Sequence, residues 1–148
     1  RVNHPGTSSE DYYHKIKSSV IRDGSMHVGL PPDKEFSSQL QNEFIQRLHE
    51  AQDDPTIKNV LIITHVPCME SQITRRPYHF EWSIGTTFFG NLSVEKEIRK
   101  ISKVRAVCSG HSHKGTRLDD VFDNGNTVEV LNSDADYNNP SYLKFLFE

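Results

Sequence analysis

The chain has 148 residues, 34% apolar and 25% charged, enough to bury one ordinary core and too apolar for a disordered segment. Its 17 Lys and Arg against 20 Asp and Glu leave a formal charge of −3, which offers no basic field to draw in a nucleic acid. The longest strongly apolar run, Val60-Leu61-Ile62-Ile63, is far too short to span a bilayer, and no charged-then-apolar leader opens the chain.

Cys68 and Cys108 are not spaced as a metal pair or a disulfide framework. Each borders an apolar stretch, so buried thiols in a reducing, cytoplasmic setting are expected. With no repeat and no linker, residues 1–148 form a single domain.

In chain order, Ser19 to Leu30 has the pattern of a short hairpin around Asp23-Gly24, stopped by Pro31-Pro32. Phe36, Leu40, Phe44, Ile45 and Leu48 recur every three or four residues and predict a helix from about Lys34 to Ala51, closed by Asp53-Asp54-Pro55. Asn59 to Thr64 is a continuous apolar run, the pattern of a central strand covered on both faces. An irregular stretch from Val66 to Asn91 follows. Ser93 then predicts an N-cap, with Glu95 and Glu97 in the first turn and Arg99, Lys100 and Lys103 near the end, an order that suits the helix dipole. Val104 to Cys108 is a second apolar strand. Thr116 to Phe122 and Thr127 to Leu131 flank the turn signal Asp123-Asn124-Gly125-Asn126, and Tyr142 to Phe147 forms a last strand. The whole is an α/β pattern with antiparallel strands at its C-terminal end.

Two apolar strands end in histidine. Val60 to Thr64 delivers His65, followed by Val66-Pro67; Val104 to Cys108 delivers Ser109-Gly110-His111-Ser112-His113. If the strands are parallel neighbours, three imidazoles meet at one sheet edge, and imidazole is the commonest side-chain ligand for first-row metals. Gly110 permits a sharp turn before the ligands. Across Ser112 the rings point the same way in an extended segment and diverge in a curled one. Alone, His65 is a hydrogen-bonded boundary residue and His-x-His a solvated turn; the combination of both strand ends is what carries weight. The loop from Cys68 to Asn91 would lie beside them. Its Arg75-Arg76, Tyr78, Phe80 and Trp82 suit phosphate gripping and base stacking, or simply pack the loop.

Thr64-His65-Val66-Pro67 and Ser109-Gly110-His111-Ser112-His113 resemble the two late motifs of the calcineurin-like metallophosphoesterases. The helix from Gln39 to Ala51 and the ending, Asn132 to Phe147 with Asn138-Asn139-Pro140, are similar to the family's flanking segments. The resemblance implies an αββα sandwich holding two divalent ions, drawn from Mn, Fe, Zn and Ni. It implies that His65 and His111 bind one ion and His113 the other. Asn3-His4 resembles the family's asparagine-histidine pair, making Asn3 a ligand and His4 the general acid, although Val2 and Pro5 stand where the family has glycine and an acid.

The activity implied is hydrolysis of a phosphomonoester or phosphodiester on a phosphorylated small molecule, by water activated between the two ions. The family's Asp-x-His and Gly-Asp motifs are absent from the chain. The expectation is therefore the C-terminal part of such a domain, incomplete at its N-terminus, with an uncovered sheet edge prone to association. The alternatives are an inactive scaffold of the same type that binds a protein partner, and a structural one-metal site of Asn3, His65 and His111.

Overall fold

A computed structural model describes residues 33–76, 78, 90–135, 138–142 and 144–146. Helix α1 spans Asp33–Asp53, two residues beyond the expected end. Its Phe44, Ile45 and Leu48 turn inward, while Leu40 remains half exposed. No basic residue occupies its last turn, and a distant one does the capping: Lys103 donates through Nζ to the carbonyls of Ala51 and Asp54 at 3.1 and 2.6 Å. Beyond the helix, the Asp54 carboxylate accepts from the Thr56 amide and hydroxyl at 2.8 and 2.7 Å, and these bonds hold its pKa below the usual value. No helix among the described residues is long and apolar enough to cross a membrane.

Four strands follow: β1 Val60–Thr64, β2 Val104–Ser109, β3 Thr116–Val121 and β4 Thr127–Asn132. They form one mixed sheet in the order β1-β2-β4-β3. The pairs β1/β2 and β2/β4 are parallel, and β3/β4 is antiparallel. The fold is α/β with an antiparallel margin. Gly125, at φ 81°, makes the β3–β4 turn, and the Phe122 amide bonds to the Asn126 carbonyl at 2.9 Å.

One sheet face packs against α1 and the segment around Ile98 through Val60, Ile62, Val104, Val107, Val128 and Val130. The other carries Ala106, Cys108 and Leu131, joined by Leu61 and Phe145. Both cysteines are free and buried.

Three expectations are corrected. β1 is the outer strand of the described sheet rather than a central one, and Ile63 is 73% exposed. The second helix shrinks to one turn, α2 at Glu95–Ile98, preceded by a 3-10 turn at Leu92–Val94. Ser93 lies inside that 3-10 turn instead of capping, and its hydroxyl bonds to Gln41 Oε1 at 2.9 Å. Tyr142 and residues 144–146 are not in a strand; Phe145 only covers the second face. The Ser19–Leu30 hairpin falls outside the described residues.

Candidate metal-binding site

The parallel register pairs Thr64 with Ser109, so β1 and β2 end level. His65 and His111 therefore emerge side by side, and the Gly110 amide bonds back to the His65 carbonyl at 3.1 Å. His65 Nε2 and His111 Nδ1 stand 3.0 Å apart, their rings inclined at 70° with centroids 4.8 Å apart. Two imidazole nitrogens each bound to one zinc-like ion stand about 2.9–3.4 Å apart for bond angles between square and tetrahedral. The observed separation fits that geometry. It equally fits one nitrogen donating to the other when no ion is bound.

The turn that carries the imidazoles is strained. His111 and His113 both adopt left-handed backbone, at φ 67° and 50°, a conformation that costs a non-glycine residue about 1–2 kcal/mol. Gly110, expected to take the sharp bend, has no positive φ, and a Cβ there would meet only the His65 carbonyl oxygen at 3.7 Å. The glycine that the packing does require is Gly115, where a Cβ would come within 2.7 Å of Asp134 Cβ.

Because the turn curls, the two rings diverge. His111 turns toward His65, whereas His113 Nδ1 meets the Ala135 carbonyl at 2.7 Å. A carbonyl can only accept, so the proton of a neutral His113 sits on Nδ1 and its lone pair on Nε2. That is the arrangement a backbone carbonyl imposes on a metal-ligating histidine. Among the described residues, no group of three or more His, Cys, Asp or Glu side chains converges to hold an ion. Asn3 and His4 lie outside the described residues.

Polar side chains that the strand patterns do not single out hold this edge. Asn132, 3% exposed at the end of β4, donates its Nδ2–H to Ser112 Oγ and accepts from Ser109 Oγ at 3.3 Å. Gln72, 1% exposed in the 3-10 turn Glu70–Gln72, accepts the Cys68 and Met69 amides at 3.0 and 3.1 Å and donates to the Leu131 carbonyl at 2.7 Å. Asn132 shares one signal with His65: each is the polar residue at which an apolar strand stops. Gln72, inside an irregular stretch, has no such signal.

Of the loop, residues 66–76, 78, 90 and 91 are described. The Arg75 guanidinium is spent on Glu70, with Nε and Nη2 donating to its two oxygens at 2.7 and 2.6 Å. Tyr78 is 96% exposed, and Phe80 and Trp82 are outside the described residues. Neither cysteine is an activated nucleophile: burial pushes the Cys68 thiol up to about 11 and raises Cys108 as well. Comparison of the chain with protein-family models, with curated proteins and with solved structures returns no match.

Proposed function

We propose that the chain is the C-terminal part of a calcineurin-type metallophosphoesterase domain and contributes to metal-dependent hydrolysis of phosphoesters. The 3.0 Å approach of His65 Nε2 to His111 Nδ1 at the level ends of two parallel strands carries this reading. His65 and His111 would hold one divalent ion, with Asn3 as a further ligand; His113 would contribute to a second through Nε2, and His4 would protonate the leaving oxygen. A divalent ion held there polarises a phosphoryl oxygen and lowers the pKa of water. The chain's own part is to fix two imidazoles in one aim and to set the tautomer of His113 through Ala135. Apolar residues on both faces of the described sheet, one of them packed against α1, support the αββα sandwich of that family. Two free, buried thiols support a reducing, cytoplasmic location.

The test is equilibrium dialysis of the chain against Mn²⁺ or Zn²⁺, paired with hydrolysis of p-nitrophenyl phosphate and its bis ester. Saturable binding that His111→Ala or His65→Ala abolishes is expected. A chain that takes up no metal, or takes it up equally after His111→Ala, removes the assignment.

A second reading, a non-catalytic scaffold of the same type, is favoured by the lack of a third converging ligand among the described residues. Asp-x-His and Gly-Asp motifs in frame upstream of Arg1 would favour the enzyme, and a full-length chain without them would select the scaffold.

A further inference from the structure

We infer that Asn132 is the positioning residue of the imidazole-bearing turn: through Ser112 it holds His111 and His113 in their left-handed backbone and so sets the aim of both rings. The inference deepens the metal-site reading and rests on it for its consequence, though not for its geometry.

A histidine keeps a left-handed backbone only where its surroundings over-determine it. Here two such residues flank Ser112, so a restraint on Ser112 acts on both at once. Its amide is tied within the turn, to the Gly110 carbonyl at 2.8 Å; its hydroxyl accepts from the Lys114 amide at 3.4 Å and, as its bond from outside the turn, from Asn132 Nδ2. The same carboxamide takes the Ser109 hydroxyl at 3.3 Å, so one side chain spans the turn from its first residue to its midpoint.

That carboxamide is itself held in place. Asn132 is the last residue of β4, in register with Ser109 of β2, and the next amide, Ser133, bonds to the Ser109 carbonyl at 2.8 Å. At 3% exposure, water has little access to replace its bonds. Three residues further along, Ala135 supplies the carbonyl that orients His113. The end of β4 and the segment after it thus meet the turn at Ser109, Ser112 and His113, Asn132 itself through the two serines. Loss of a residue that orients a metal ligand in this way typically changes metal affinity about 10–100-fold.

The experiment uses the whole chain with Asn132→Ala, Ser112→Ala and the double variant. Lys103→Met serves as control, because it weakens the α1 cap at the opposite end of β2. Long-range ¹H–¹⁵N spectra of the metal-free imidazoles are read first. Asn132→Ala should move and broaden the His111 and His113 signals, Ser112→Ala should do the same, and the double variant should add nothing further. Lys103→Met should leave both signals in place. Co²⁺ titration followed by visible absorption is read second, with affinity falling about 10–100-fold in either serine or asparagine variant and unchanged in the control.

Ser112→Ala removes the same bond from a half-buried turn should Asn132→Ala not fold. Imidazole signals untouched by loss of the bond, or shifts that add in the double variant, would overturn the inference. A wild-type chain whose imidazoles respond as described but which binds no Co²⁺ would overturn the metal reading and leave the role of Asn132 standing.

Discussion

Cys68 follows Pro67 directly, 2% exposed, with Thr64 Oγ1 3.7 Å from its sulfur. Burial disfavours the thiolate more than that hydroxyl favours it, so the group ionises near pH 11 in the folded chain against 9.0 for a free thiol. Below pH 9 both states hold the proton and the group is neutral to stability. As pH rises past 9 the unfolded chain loses its proton first, and the folded state loses on the order of 2–3 kcal/mol by pH 11. Urea unfolding of wild type and Cys68→Ala should therefore converge in that window, the variant being the flatter of the two; parallel curves would refute it. At this scale the sequence was informative about identity and poor about geometry. His65 and His111 stand out because each ends an apolar run. The left-handed backbone of His111 and His113 is not legible from residue type, since histidine, though enriched there among non-glycine residues, still adopts it uncommonly.

The start of the loop after β1, at Glu70 and Ser71, meets two carboxylates that Arg99 draws together. Arg99 pairs with Asp120 of β3 at 2.7 Å and with Glu95 of α2 at 2.9 Å, and stacks over Phe122 with its centre 5.2 Å from the ring centroid. These carboxylates, Asp120 first, raise the guanidinium pKa. The same two acids reach the loop: Glu95 accepts the Glu70 amide at 3.0 Å, and Asp120 accepts the Ser71 hydroxyl at 3.3 Å. Arg99→Met keeps the stem over Phe122 and leaves two carboxylates, 16–17% exposed, facing each other. A loss of about 2–3 kcal/mol is expected, below the fully buried range because some solvent screens the site. Adding Asp120→Asn should recover part of it in a double-mutant cycle; a loss under about 0.5 kcal/mol would show the pair to be ornamental. The cluster also bears on why α2 is so short. Glu95 and Arg99 suggested dipole complementarity in a longer helix, whereas in the fold both are committed to tertiary partners, and β2 begins at Val104. By contrast α1, with five periodic apolar positions, was legible almost to the residue.

Across the molecule, the apolar run of β1 misled as to place. Its continuous hydrophobicity matched a strand covered on both faces, yet β1 is outermost among the described strands, with Ile63 73% exposed beside Leu61. Among the described strands β1 pairs only with β2, and an outer strand with an apolar face is a template for another copy. Sedimentation velocity is expected to show concentration-dependent self-association that Ile63→Lys suppresses. A sharp monomeric boundary at high concentration would count against it.

The strand order has one more consequence, which concerns time. β4 is the last described strand in the chain, yet it lies between β2 and β3, and within the described sheet β3 pairs only with β4. A chain emerging N-terminus first from a ribosome can join β1 to β2, but the pairing of β3 with β4, begun at Thr127, is complete only when the last residue of β4 is out. That residue is Asn132. The imidazoles at 65, 111 and 113 are synthesised before the carboxamide proposed to aim two of them, so the turn waits on the completion of β4.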